Sequence, residues 1–178
     1  SFTYNLKHYV EPLCSKVDVV RDDELDIGLV DYYDKIILSP GPGLPNDTKS
    51  MNRIFKCYSG VKPILGVCLG MQGMAQYYGA DLKQYYVTHG KKSTIKVDLN
   101  SVLFENTNEY LEVGLYHSWH VEQLNENIFT PISLDEKGVL MAIESLKLSL
   151  FGVQFHPESI MTPSGRVIIN NFLNYKQQ

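Results

Sequence analysis

The sequence predicts an α/β fold, in which a mostly parallel central sheet carries helices on both faces and a small antiparallel addition. Short apolar runs alternate with helical patterns along the chain, as they do in successive β-α-β units. Turns rich in glycine or proline follow the runs at 35–38 and 63–65. The runs in the middle of the chain are shorter and alternate apolar with polar residues, which predicts the antiparallel addition.

The elements follow from local patterns along the chain. Leu6, Tyr9, Val10 and Leu13 recur at helical spacing, which predicts a first helix over residues 2–13. The remaining elements, in chain order, are strands at 17–20 and 35–38, a helix near 48–58, a strand at 63–65, a helix carrying Gln72, antiparallel strands at 91–97, 110–114 and 130–134, a strand at 150–155, and a helix at 163–175.

Length and charge limit the classes of function. The 178 residues fit a single domain, 1–178, that removes about two-thirds of its unfolded surface from water. The net charge is -4 and no basic stretch exceeds the pair Lys91-Lys92, so a nucleic acid partner is not expected. A membrane partner is not expected either, because no apolar run reaches about 18 residues.

Cysteine and histidine usage indicates free thiols without a metal site. Cys14, Cys57 and Cys68 are odd in number and lack Cys-x-x-Cys spacing, which suggests a cytoplasmic, reducing environment. His117 and His120 lie three residues apart, but no further cysteine or histidine lies nearby in sequence to complete the three or four ligands of a zinc site. No metal and no cofactor is expected for this chain.

A cysteine bracketed by glycines is the strongest chemical signal. The sequence Gly-Val-Cys-Leu-Gly at 66–70 follows an apolar run and precedes a helical pattern, which is the order of a nucleophile elbow with sulfur in place of a hydroxyl. Glycine tolerates the close backbone approach and strained dihedrals of such a turn. Free N–H groups and the dipole of the following helix would favour the thiolate of Cys68. The alternative is a buried structural cysteine.

A histidine and a glutamate at the end of a later strand complete a catalytic pattern. His156 and Glu158 flank Pro157, directly after the apolar run at 150–155. Proline favours extended backbone at the preceding residue, and in extended backbone residues two apart point to the same side. The carboxylate can then accept from one ring nitrogen of His156 while the other faces a thiol, as a base with its orienting group. The alternative is a solvent-facing turn with an incidental acid.

A proline-rich loop supplies a candidate oxyanion hole. The sequence Ser-Pro-Gly-Pro-Gly-Leu-Pro at 39–45 follows the strand at 35–38 and is stiffened by three prolines. Stiffness matters because such donors help only when they already point to where charge develops. Gly43 can present a bare N–H from this loop, and the N–H of Leu69 would be its partner. A phosphate cradle or an ordinary turn are the alternatives, but no phosphate-binding glycine motif accompanies the loop.

Five ordered motifs resemble those of the class I, triad-type glutamine amidotransferases. They are Ser-Phe-Thr-Tyr-Asn-Leu at 1–6, Ser-Pro-Gly-Pro-Gly at 39–43, Gly-Val-Cys-Leu-Gly-Met-Gln at 66–72, Tyr-His-Ser-Trp at 116–119 and Gly-Val-Gln-Phe-His-Pro-Glu-Ser at 152–159. More narrowly, the chain resembles the small subunit of anthranilate synthase and of aminodeoxychorismate synthase, and the first two motifs favour this chorismate-linked branch. The resemblance implies a flavodoxin-like sheet whose usual first strand precedes the first motif and is therefore expected to be missing from residues 1–178.

The resemblance also implies roles for individual residues. Cys68 would be the nucleophile, His156 the general base and acid, and Glu158 its orienting group. The other implied contacts are Gly41, Pro42 and Gly43 beside the glutamine and its oxyanion, Leu69 as an oxyanion donor, Gln72 on the substrate, and Ser118 and Trp119 on the amino-acid end of glutamine. Packing is an equally reasonable role for Trp119, because it is the only tryptophan of a small domain.

The activity that the resemblance implies is hydrolysis of glutamine to glutamate and ammonia, with ammonia passed to a larger chorismate-binding synthase subunit. The sequence does not decide between anthranilate and aminodeoxychorismate synthesis, because the larger subunit makes that choice. Two other classes of function stay open. One is a stand-alone cysteine hydrolase on the same fold, and the other is a catalytically silent subunit that only binds its partner.

Overall fold

The computed structural model describes residues 2–84 and 90–177. Within these residues it contains four α-helices and nine β-strands. The helices are α1 (Phe2–Val10), α2 (Met51–Tyr58), α3 (Leu69–Tyr77) and α4 (Gly165–Asn174). The strands are β1 (Ile36–Leu38), β2 (Ile64–Val67), β3 (Asp81–Gln84), β4 (Lys91–Val97), β5 (Tyr110–Leu115), β6 (Trp119–Glu122), β7 (Thr130–Asp135), β8 (Leu140–Ser145) and β9 (Leu150–Val153).

Seven strands form one sheet in the order β1-β2-β9-β8-β7-β4-β5, and β3 pairs with β6 in a small second sheet. The first three strands are parallel, with Leu38 opposite Gly66 and Val67 opposite Val153. This register brings the carboxyl ends of β1, β2 and β9 to the same edge. In sheets of this kind, that edge is where ligands bind.

The α/β class is confirmed, but the antiparallel part of the sheet is larger than the sequence predicted. Within the described residues, only two pairs of the large sheet are parallel, whereas β9-β8, β8-β7, β7-β4 and β4-β5 are antiparallel. The strand β8 was not predicted. Short connections at 136–139 and 146–149 join β7, β8 and β9, and a short connection can join only antiparallel neighbours.

The strand predicted at 17–20 is wrong, because this segment has no regular secondary structure. A strand needs a neighbour to accept and donate its backbone hydrogen bonds, and none of the described strands pairs with these residues. Two cavities of about 490 and 430 Å³ lie between the segment and the β1 region. Both are lined by Asp18 and Val20 on one side and by Lys35 and Ile37 on the other.

Helices cover both faces of the sheet, as predicted. Leu6 of α1 and Phe172 of α4 belong to one apolar cluster, whereas Phe55 of α2 and Met74 of α3 belong to the other. The two clusters share the strands β2, β8 and β9, because alternate residues of a strand face opposite sides. Among the described helices, none combines the length and the apolar composition that a membrane span requires.

Candidate active site

Cys68 lies on a strained turn between β2 and α3, as the sequence predicted. Its backbone has φ 54° and ψ -101°, a left-handed φ that a residue other than glycine adopts only where its surroundings enforce it. An added Cβ on Gly66 would lie 2.5 Å from the carbonyl carbon of Gly70, and one on Gly70 would lie 2.5 Å from the oxygen of Leu38. Both positions therefore require glycine, and the strand-to-helix elbow is confirmed.

The environment of the sulfur differs from the expectation. Cys68 is only 7% exposed, and this burial raises the pKa of its thiol to about 12. The Leu69 N–H lowers that pKa, the Glu158 carboxylate raises it, and the Gln154 side chain lowers it. The helix start was expected to favour the thiolate. In this closed site, however, the loss of hydration outweighs the hydrogen bonds, so the thiol is protonated at neutral pH.

His156 and Glu158 form a buried hydrogen-bonded pair just beyond β9. His156 Nδ1 donates to Glu158 Oε1 at 2.7 Å, and the residues are 2% and 3% exposed. Because an ionised carboxylate only accepts, this bond places a proton on Nδ1, so in the neutral ring Nε2 carries a lone pair. Nε2 of His156 is buried and has no hydrogen-bond partner among residues 2–84 and 90–177. The Glu158 contact therefore fixes the ring so that Nε2, the nitrogen with the lone pair, can take a proton.

Backbone pairing brings the cysteine and the histidine to one rim of the sheet. The Cys68 N–H donates to the Val153 oxygen at 2.8 Å, which continues the β2-β9 ladder by one residue. The His156 N–H donates to the Gly114 oxygen at 3.0 Å, and Thr162 Oγ1 donates to the His156 oxygen at 2.7 Å. Both backbones are thus fixed at the carboxyl ends of adjacent parallel strands.

Two aromatic rings that were not predicted to lie at the site pack against the imidazole. The ring centroids of Phe2 and Tyr116 lie 4.6 and 5.0 Å from that of His156, and 4.9 Å from each other. Such contacts hold the plane of the imidazole and keep water away from it. Phe2 belongs to the motif at 1–6 and Tyr116 to the motif at 116–119. Because 114 positions of chain separate them, their contact could be seen only in the folded structure.

Two glutamines connect the elbow to β6. Gln72 Nε2 donates to the Trp119 oxygen at 2.8 Å and to Gln154 Oε1 at 3.1 Å, and Gln154 Nε2 donates to the Cys68 sulfur at 3.5 Å. Gln72 was predicted to contact the substrate, whereas here protein acceptors occupy its amide nitrogen. Gln154 was not predicted to lie at the site, although a glutamine within the apolar run at 150–155 is itself an unusual feature.

The proline-rich loop lies beside the elbow, as expected from the pairing of β1 with β2. An added Cβ on Gly41 would lie 3.1 Å from Leu69 Cδ2. Asp47 Oδ2 accepts from the Leu44 N–H at 2.9 Å, which fixes the end of the loop. Gly41, Pro42 and Gly43 are exposed, and Gly43 has a φ of 79° that favours glycine. The loop thus places exposed backbone next to the first residue of α3.

The segment before β6 approaches the site through its main chain. Ser118 and Trp119 are half-buried, and the Trp119 oxygen accepts from His117 Nδ1 at 2.9 Å as well as from Gln72. Burial lowers the pKa of the His117 imidazole, so this ring is neutral at physiological pH. In the part of the chain that the structure describes, no group of three His, Cys, Asp or Glu side chains is arranged to hold a metal ion.

Comparison with known proteins gives matches along nearly the whole chain. The family described as glutamine amidotransferase class-I matches residues 1–175. Anthranilate synthase component 2 of Lactococcus lactis subsp. lactis (strain IL1403) is 38% identical over 179 residues, covering 98% of this chain and 89% of that protein. Aminodeoxychorismate/anthranilate synthase component 2 of Bacillus subtilis (strain 168) is 37% identical over 177 residues, covering 97% and 91%.

A solved structure shows the same fold at lower identity. A putative GMP synthase protein from Thermoplasma acidophilum matches with a TM-score of 0.87 at 22% identity, covering 97% of this chain and 87% of that one. These findings confirm both the fold and the resemblance that the five motifs indicated.

Proposed function

This chain belongs to the class-I glutamine amidotransferase family, and from that premise we propose that it hydrolyses the side-chain amide of glutamine through Cys68, His156 and Glu158. The observation that carries the proposal is the buried His156-Glu158 hydrogen bond of 2.7 Å at the same rim as the strained cysteine. A nucleophile, a base and a group that orients the base are the parts that amide hydrolysis through a covalent intermediate requires.

The proposed reaction begins when His156 Nε2 takes the proton of the Cys68 thiol and the sulfur attacks the carboxamide carbon. The oxyanion that forms is held by the N–H groups of Leu69 and Gly43. Protonated His156 then donates to the leaving nitrogen, and ammonia departs from a glutamyl thioester. His156 next takes a proton from a water molecule, whose oxygen attacks the thioester carbon. Protonated His156 then returns that proton to the departing sulfur, so that glutamate and the Cys68 thiol are released.

The remaining predicted contacts hold the substrate in this proposal. Gly41 and Pro42 border the carboxamide, while Ser118 and Trp119 bind the amino-acid end of glutamine through main-chain groups. The half-buried position of both residues supports this part, and the hydrogen bonds that the Trp119 oxygen accepts from Gln72 and His117 fix the main chain here. Gln72 contributes by fixing that carbonyl, and it reaches the substrate only if one of its present hydrogen bonds is exchanged.

We propose that the partner is a larger chorismate-utilising synthase subunit. Relatives covered over about nine-tenths of their length are named component 2 of anthranilate synthase or of aminodeoxychorismate/anthranilate synthase. Ammonia released into water is protonated and loses its nucleophilicity, so direct transfer to a synthase subunit keeps it reactive. The raised pKa of the buried Cys68 thiol supports a site that gains activity when a partner and substrate rearrange it.

Labelling with a glutamine-mimicking diazoketone tests the nucleophile. With chorismate and a synthase subunit present, we expect the label on Cys68, no label in Cys68→Ala, and full labelling in the matched Cys57→Ala variant. Absence of label on Cys68 in the complex would favour a silent partner-binding subunit, and labelling and turnover that need no partner would favour a stand-alone hydrolase. Mixing the chain with each candidate synthase, chorismate and glutamine, and identifying the aromatic product, then assigns the pathway.

A further inference from the structure

Gln154 is a completely buried polar residue that the proposed reaction does not use. It is 0% exposed and lies one residue beyond β9, between the apolar residues Val153 and Phe155. Burying an amide costs free energy unless its groups are hydrogen-bonded. Here its Oε1 accepts from Gln72 and its Nε2 donates to the Cys68 sulfur, so the amide has partners on both sides and one of them is the candidate nucleophile.

We infer that Gln154 is a positioning residue that directs an N–H at the Cys68 sulfur, and that Gln72 fixes the orientation of the Gln154 amide. The inference rests on the proposed function in treating Cys68 as the nucleophile. The contacts themselves do not depend on which amide or ester the enzyme hydrolyses. These two contacts determine the position of the Cys68 sulfur and which of its protonation states is stabilised.

The orientation of the two amides follows from the Trp119 carbonyl. A carbonyl oxygen only accepts, so the atom of Gln72 that lies 2.8 Å from it must be the NH₂ nitrogen. The same nitrogen lies 3.1 Å from the Gln154 amide, which must therefore present its oxygen to Gln72. The Gln154 nitrogen then necessarily faces the sulfur, at 3.5 Å. The Trp119 main-chain oxygen thus holds the Gln72 amide in one of its two orientations, and Gln72 in turn holds the Gln154 amide in one of its two.

This arrangement affects the sulfur in both of its protonation states. An NH₂ group accepts no hydrogen bond, so the thiol proton cannot be directed to Gln154 and remains available to a base. When the thiol loses its proton, the same N–H donates to an anion, and hydrogen bonds to charged groups are about twice as strong as neutral ones. The Gln154 hydrogen bond also lowers the pKa of the Cys68 thiol, against the larger effect of burial.

Gln154→Met and Gln72→Met test the inference, because methionine fills a similar volume without an N–H donor. Gln76→Met is the matched control, since Gln76 lies on the same helix as Gln72, is half-buried and has no role in the proposed site. The readout is the rate of Cys68 alkylation by iodoacetamide, measured by peptide mass spectrometry at several pH values between about 7.5 and 9.5, where the rate is proportional to the thiolate fraction. Exposed Cys57 serves as an internal reference in every sample.

We expect Gln154→Met to slow Cys68 alkylation about tenfold at each pH, the effect of losing one hydrogen bond to an anion, with Cys57 unchanged. Gln72→Met should have a similar effect, and the double variant should be no slower than Gln154→Met, because both act through one contact. Unchanged alkylation in Gln154→Met would overturn the inference, and additive effects in the double variant would overturn the role of Gln72. An unfolded variant is recognised by faster labelling of half-buried Cys14 together with Cys68, and Gln72→Met then provides the test.

The alkylation test needs no glutamine, so it separates this inference from the proposed function. If Cys68 is alkylated at the expected rates in every variant but the chain shows no glutaminase activity with a synthase subunit, the proposed function is wrong. The inference that Gln154 positions the sulfur is then still supported. If glutaminase activity is present, we expect Gln154→Met to lower kcat about tenfold with little change in KM for glutamine. A raised KM with kcat unchanged would instead show that Gln154 acts on substrate binding, and would contradict the inference.

Discussion

Replacing Glu158 by glutamine tests the contact on which the proposed chemistry depends. The carboxylate accepts the Nδ1 proton of His156 at 2.7 Å, and both side chains are almost completely buried, at 2% and 0% exposure. The variant keeps the size of the side chain but removes its charge, so the imidazolium that forms during the reaction loses a buried negative partner. In addition, an amide NH₂ turned toward the ring would favour the wrong tautomer.

The expected magnitude follows from this geometry. A hydrogen bond to a charged group contributes about 1.5 to 3 kcal/mol, which corresponds to a loss of about 10-fold to 150-fold in kcat. The assay is steady-state release of glutamate from glutamine in the complex with a synthase subunit. Glu144→Gln is the matched control, because Glu144 is also a buried glutamate but pairs with Ser101, away from the elbow, and we expect its kcat to change less than about twofold. A kcat in Glu158→Gln equal to that of the wild type would refute the assignment of Glu158 as the group that orients His156.

Other consequences of the structure can be measured on the isolated chain. At about pH 8, iodoacetamide should label exposed Cys57 at least about tenfold faster than Cys68, whose buried thiol has its pKa raised to about 12; equal rates would contradict the closed site. Gly70→Ala should lower the free energy of unfolding by about 1 to 3 kcal/mol in urea, because its Cβ would meet the main chain of β1. Gly28→Ala, whose Cβ has room, should change the free energy of unfolding by less than about 0.5 kcal/mol. Equal losses in the two variants would argue against the close approach of Gly70 to β1. Burial raises the pKa of the Glu144 carboxyl. This carboxyl therefore contributes its full stabilisation of the folded state below the ordinary glutamate pKa, where it is protonated. The stabilisation is lost as pH rises through the raised pKa. Glu144→Gln should therefore be more stable than wild type at about pH 7.5 and lose that advantage toward about pH 4, and a pH-independent difference would contradict this reasoning.

The parts of the site that local sequence determines were predictable. The two glycines around Cys68 indicated a turn too tight for a Cβ, and the structure has that turn. The two-residue spacing of His156 and Glu158 indicated side chains on one side of an extended backbone, and they form the expected hydrogen bond. The contact at Gly66 and the His156-Glu158 pair lie within five residues of chain, so the local pattern predicts them, whereas the close approach at Gly70 is to Leu38 of β1 and depends on strand pairing.

The parts that the sequence did not predict depend on pairing over long distances. The segment 17–20 has the composition of a strand but no strand neighbour among the described residues, and composition does not supply one. The extent of the antiparallel sheet depends on β8, whose apolar run was not recognised between two short turns. The protonated state of Cys68 reflects how completely the fold buries the sulfur, which the elbow motif does not encode.

Trapping the covalent intermediate on Cys68 tests the central claim most directly. The complex with a synthase subunit would be mixed with glutamine, quenched in acid within the first turnover, digested, and measured by mass spectrometry. The proposed covalent mechanism predicts a glutamyl thioester on the peptide that contains Cys68, which is absent in Cys68→Ala and present in the Cys57→Ala control. Turnover of glutamine with no adduct on Cys68, or with the adduct on another residue, would contradict it.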